Sequence, residues 1–270
     1  MFATNPFATL GGALPPVVMQ YYVALMVLAV IAGTLFDVVH KGSARYFFAN
    51  WRNSRSKGAR RPGGAELASI AVQTAVVDVL ASGEFCNPRR RIAHLLGMYG
   101  FVLYALSTAV MVFDASVGAI WPRLWWIGGL MVCAGGYWFW FFIRVDVAAE
   151  GSSPWRVMRA DLFILSLLAS ATLGLVWAAA GAGTGVLFYL YILATTVLFV
   201  GVPWSKFAHM FFKPAAAFEK RVSEANGSAE NLPTQTRDDP EQQKRHSMEL
   251  LRNAPMDMGL GIKREAPRHY

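Results

Sequence analysis

Residues 17–36 read VVMQYYVALMVLAVIAGTLF, twenty positions without a charge. An α-helix needs about that many to cross a hydrocarbon core of roughly 30 Å. Pro15 and Pro16 stand just ahead of the stretch, where the amides that open a helix have no partner anyway and proline's missing donor costs nothing. Four more stretches have the same character, at 92–113, 125–143, 162–180 and 186–207. Of the 270 residues, 55% are hydrophobic and 16% charged, against about 25% charged in an average soluble domain, so the apolar excess calls for lipid as its solvent. The expected fold is an all-α membrane protein, a five-transmembrane-helix bundle. The N-terminus has no basic region of the kind that opens a cleavable signal peptide, so the first span is expected to stay in the membrane.

Lysine and arginine orient the bundle. The segment between the first two spans holds ten of them, and the third-to-fourth loop holds Arg144, Arg156 and Arg159. Residues 1–16 and the turn at 181–185 have none, and the second-to-third loop has Arg123 alone. The positive-inside rule then puts the N-terminus outside and the C-terminus in the cytoplasm. The net charge of +8 reflects this topology and not a nucleic-acid partner. Trp121, Trp125 and Trp126 are expected at the outer interface, with their rings in lipid and their N–H groups in water. The chain divides into a short periplasmic N-terminus (1–16), a membrane domain (17–213) and a polar, mostly disordered cytoplasmic tail (214–270). Within the cytoplasmic loop at 41–91, residues 65–81 form an amphipathic helix too short to span, with Leu67, Ile70, Val77 and Leu80 on one stripe. It lies on the membrane surface or under a partner subunit.

Ionisable side chains at membrane depth are costly and usually functional. No Asp, Glu, Lys or Arg falls in the middle of a span, which argues against a small transporter with a proton relay. Histidine remains. His94 lies one turn into the second span and His209 at the end of the fifth, both at the cytoplasmic border. Two such imidazoles from facing helices are an axial pair for the iron of one haem b, or else interfacial residues bonded to loops. His40 and Arg91 are candidate quinone or propionate contacts, set against a helix-capping role for His40 and a purely topological one for Arg91. Cys86 and Cys133 are too few for an iron–sulfur cluster, so this chain holds none. On Ser166, Ser170 and Gly174, four residues apart, the small side chains signal close helix packing. The sequon Asn226-Gly227-Ser228 lies on the cytoplasmic side, where glycosylation does not reach it.

Asp78, Phe85-Cys86, Arg91, His94 and Gly100-Phe101, with Ser205-Lys206-Phe207-Ala208-His209 and Phe212-Lys213-Pro214 further on, resemble the membrane domains of quinone-interacting oxidoreductase complexes. They are more distantly similar to the cytochrome b subunit of respiratory nitrate reductase. The nitrate-reductase type carries a second histidine pair ten residues further along the second span and eighteen residues earlier on the fifth. Those positions are Tyr104 and Tyr191 here, which implies loss of the outer haem. A compact anchor of this kind looks most like the membrane anchor subunit of dissimilatory adenylylsulfate reductase. That resemblance implies the bacterial inner membrane, cytoplasmic flavin and iron–sulfur subunits as partners, and electrons exchanged with membrane quinone. A haem-free docking anchor is the alternative.

Overall fold

The computed structural model describes residues 2–40, 42–83, 85, 87–145, 153–205, 209–230 and 232. Among them the chain is all-helical, with no strand. The helices are α1 (Pro16–His40), α2 (Ser43–Lys57), α3 (Gly64–Gln73), α4 (Pro88–Phe113), α5 (Ile120–Trp138), α6 (Leu162–Ala179), α7 (Val186–Val200) and α8 (His209–Ala225). α3 runs on as a π-helix over Thr74–Leu80, and α5 does so over Phe139–Ile143. By length and composition Pro16–His40, Pro88–Phe113, Ile120–Ile143 and Leu162–Ala179 can cross a bilayer, and the chain is a multi-pass membrane protein.

The fifth apolar stretch falls short of its expected reach. α7 has 15 residues, ~22 Å at 1.5 Å per residue. Gly201 caps it by donating its amide to the Val197 carbonyl, and a Cβ at Gly201 would stand 2.5 Å from that oxygen. Pro203 then lies within a 3-10 turn, Val202–Trp204. His209 consequently opens a separate helix, α8, instead of closing α7.

Glycine decides how closely the central helices meet. A Cβ on Gly128 would lie 2.6 Å from the Tyr104 amide nitrogen, and one on Gly135 would lie 2.6 Å from the Ala93 carbonyl oxygen, so α4 and α5 touch backbone to backbone. α6 and α7 are joined by Ser170 and Thr195, whose hydroxyls are 2.7 Å apart and buried. The expected small-residue face of α6 is thus packed as read, with Gly174 receiving the Tyr104 hydroxyl and the Tyr191 ring.

At the end of the bundle remote from the basic loops the core is aromatic. Tyr104 stacks on Trp125 at 5.0 Å, and Tyr191 on Trp177 at 5.6 Å. Phe7 packs against both tryptophans. The N-terminal segment, with a 3-10 turn at Ala8–Gly12, is pinned over this core: the Asn5 amide donates to the Met111 carbonyl, and the Thr9 hydroxyl to that of Ala182. Trp125 and Trp126 are therefore buried, not interfacial as expected, because residues 2–14 fold across the helix end where lipid headgroups were assumed. The Trp125 indole finds its partner in the Thr108 hydroxyl at 2.9 Å.

Candidate functional site at the basic end

α2, α3 with its π-helical extension, and α8 meet at the basic end as a cap. The tail was expected to begin, mostly disordered, at residue 214; instead the helix runs through Pro214, near its start, to Ala225. Pro214 stands past the first turn, where it has no amide to give the Met210 carbonyl, and the helix continues because the amphipathic sequence that follows has a partner. Arg221 forms a two-pronged ion pair with Asp78, at 2.7 and 2.9 Å. Trp51 stacks on Phe218. Asn226 is buried and donates to the Ser54 hydroxyl at 2.8 Å, while its carbonyl accepts from the Arg60 amide. The Asn226 side chain is thus occupied by the fold, independently of which side of the membrane it faces. The remainder of the tail, from 233, lies outside the described residues. Burial, then the nearby Glu230, push the Glu219 carboxyl up from its ordinary range, and one of its oxygens is buried without a hydrogen bond among the described residues.

The amphipathic helix expected at 65–81 is present but turned. Ile70 and Thr74 are buried, whereas Val77 and Leu80, expected on the same stripe as Ile70, are exposed. The face turned to the protein carries Asp78, whose bond to Arg221 outweighs an apolar match. α4 receives the end of this helix. Arg91 Nε donates to the Ala81 carbonyl at 2.8 Å, the Tyr99 hydroxyl donates to that of Leu80 at 2.7 Å, and the Ser82 hydroxyl lies 3.0 Å from His94 Nδ1. Ser82 has a left-handed backbone, φ 49°, a conformation uncommon for residues other than glycine.

His94 packs its ring on Phe85 at 4.7 Å, and Lys213 of α8 stands 5.5 Å over Phe85. The elements that carry His94 and His209 are therefore brought together through Phe85, although the His209 side chain lies outside the described residues, as do Cys86 and 206–208. Arg91 joins this group through Ala81. His40 does not: it is exposed at the end of α1, stacked on Phe36. Among the described residues no three His, Cys, Asp or Glu side chains cluster to hold a metal ion. Cys133 is a free, half-buried thiol beside Thr172.

Two features escaped the sequence reading. Ser82, in a Ser-Gly turn between apolar runs, gave no sign that its hydroxyl would meet His94. Arg144, read as a topological charge, is fully buried; it pairs with Asp161 at 2.6 Å, donates to the Ser153 and Arg156 carbonyls, and lies 4.1 Å over Trp140. The spacing of Arg144 and Asp161 across a loop has no local periodicity that announces a pair. No protein-family model, curated protein or solved structure matches the chain.

Proposed function

We propose that this chain is the membrane anchor of a quinone-linked oxidoreductase, with the basic end cytoplasmic and α7 completing five spans by way of the turn that follows it. The cap docks a soluble flavin and iron–sulfur enzyme, of the adenylylsulfate reductase type by the resemblance, and electrons pass between that enzyme and quinone near His94. One observation carries the reading: among the residues on which the resemblance rests, Phe85, Arg91 and His94 gather where α4 receives the end of the π-helical segment, and Asp78 of that same segment binds α8. The basic loops at that end support its cytoplasmic placement.

For a haem b at this end, the fit of the residues is divided. A ligating histidine gives one ring nitrogen to the metal and the other to an orienting hydrogen bond, and Ser82 supplies such a bond at Nδ1 of His94. When bound, the group would supply one-electron transfer between the partner and quinone. The described space between His94 and α8, however, is occupied by Phe85 with Lys213 against it. That contact favours a second reading, a haem-free anchor in which a cluster in the partner meets quinone directly. At the far end the Tyr104, Trp125, Trp177 and Tyr191 stack fills the level of the outer pair, which supports a single haem at most.

A reduced-minus-oxidised absorption spectrum of the purified full chain separates the two. One b-type haem per chain, abolished by His94→Ala and kept in Tyr104→Phe, is the outcome of the first reading; no b-type bands in haem-reconstituted protein is that of the second. Either form must support quinone reduction by sulfite and AMP once the partner enzyme is added to membranes, and its failure to do so would sink the anchor reading itself.

A further inference from the structure

The helix α3 with its π-helical extension is built inside out. Its outward face carries Ala65, Ala68, Val72, Val76 and Leu80, with Ser69 and Gln73 among them, and no charge. Val72 is 64% exposed, and Val76 and Leu80 are each 51% exposed. Its two acids are both paired: Glu66 with Arg60 beside the helix start, and Asp78 with Arg221 of α8. A surface helix in water has the reverse pattern, with apolar residues toward the core and charge toward solvent.

The carbonyls at its C-terminal end are also satisfied to an unusual degree. Those of Val76, Val77 and Val79 accept from the amides of Ala81, Gly83 and Ser82, and those of Leu80 and Ala81 accept from Tyr99 and Arg91. The last carbonyls of a helix in water are commonly left to solvent, whereas in hydrocarbon each unsatisfied group costs several kcal/mol and must find a protein partner. The first three partners are amides of the turn that follows, and the last two belong to α4, a spanning helix. Tyr99 stands about three turns past Pro88, and the outward side chains beside it, Ile92 and Val102, are exposed like the valines of α3.

We propose that this helix dips from the membrane surface into the leaflet at the basic end, with Val72, Val76 and Leu80 against lipid acyl chains and its C-terminal carbonyls held by Arg91 and Tyr99. The inference needs only that α4 crosses the bilayer and is independent of any redox role. Acyl chains are the occupant because the face is continuous with the outward side of α4, where Ile92 and Val102 are exposed, and carries no charge, Ser69 and Gln73 being its two polar side chains.

The test uses the full chain in phosphatidylcholine vesicles, with Cys86 and Cys133 changed to serine. A single nitroxide is placed by Val76→Cys, in a second variant by Val72→Cys, and as an aqueous control by Ser56→Cys on exposed α2. Collision with oxygen, which concentrates in lipid, is compared with collision with a water-soluble nickel chelate. Labels at 72 and 76 should favour oxygen by at least fivefold over the ratio at 56. A ratio equal to that at 56 would show the face in water and overturn the proposal. Shielding from both reagents would mean a second copy of the chain covers it, and shielding that arises only on adding the soluble enzyme would assign it to docking; each of these also overturns it.

Discussion

Arg144 shows what a single charge does when a bundle encloses it. Its guanidinium is removed from water, and three bonds, to Asp161 and to two backbone carbonyls, replace hydration. Breaking such a pair from one side leaves an uncompensated buried charge and costs about 3–5 kcal/mol. Asp161→Ala should therefore lower the thermal unfolding temperature of the detergent-solubilised protein well beyond Lys57→Ala, whose ion pair with Glu230 is at the surface and is worth roughly 0–1 kcal/mol. Glu219 has the opposite sign. Its folded-state affinity for a proton is raised by burial and by Glu230, so the native cap binds more protons than the unfolded chain, and stability falls as pH rises through the raised value. Glu219→Gln should make the cap more stable at pH 7 and flatten that fall, read as hydrogen-exchange protection of α8 between pH 5 and pH 8. An unchanged pH profile would show that Glu219 does not titrate in this window.

At the scale of elements, hydropathy and helix length made the apolar segments legible, since a run of about twenty uncharged residues has few other uses. What ended them was less legible. Gly201 and Pro203 cut the last apolar run at Val200, and the carbonyl bond that closes α7 is a property of backbone geometry that no hydropathy window records. The two ends of the cap are equally hidden in the sequence: Asp78 and Arg221 are 143 residues apart, and neither has a local signal for the other. The tryptophans were misplaced for the same reason, because Phe7 reaches Trp125 and Phe2 reaches Trp126 only after folding. His94 reads as an imidazole at a membrane border, but its place at the joint of α4 with the cap, against Ser82 and Phe85, has no signal in the sequence. The α4–α5 contact gives a test at this scale. Gly128→Ala drives a methyl group into the Tyr104 amide and the Gly100 carbonyl and should cost about 1–3 kcal/mol as overpacking. Gly97, on α4, has open space around it, with no atom within 4 Å of where a Cβ would stand, and Gly97→Ala should stabilise by up to about 1 kcal/mol through helix propensity. Unfolding in a detergent titration with denaturant should separate the two by sign.

Over the whole molecule, the elements of the cap are joined to one another by contacts that cross long stretches of sequence, and the part of the C-terminal segment that matters for this can be located by truncation. α8 supplies Arg221 to Asp78 and Phe218 to Trp51, and the turn beyond it supplies Asn226 to Ser54 and Glu230 to Lys57. A chain ending after Leu232 keeps all four, whereas one ending after Pro214 loses all four together and leaves Asp78 without its guanidinium beside apolar surface. The shorter chain should still insert, because no spanning helix depends on α8 for its length or apolarity. Its α2 and α3 amides should exchange at least tenfold faster, and, on the proposed anchor function, recovery of a soluble partner from membranes should fall with them. The chain ending at 232 should match the full protein in both measurements. If it holds the exchange protection but loses the partner, docking belongs to the segment after Leu232 and not to the cap. If the chain ending at 214 keeps such a partner while α2 and α3 loosen, the proposed docking surface lies elsewhere at the basic end, and the cap serves the chain's own architecture alone.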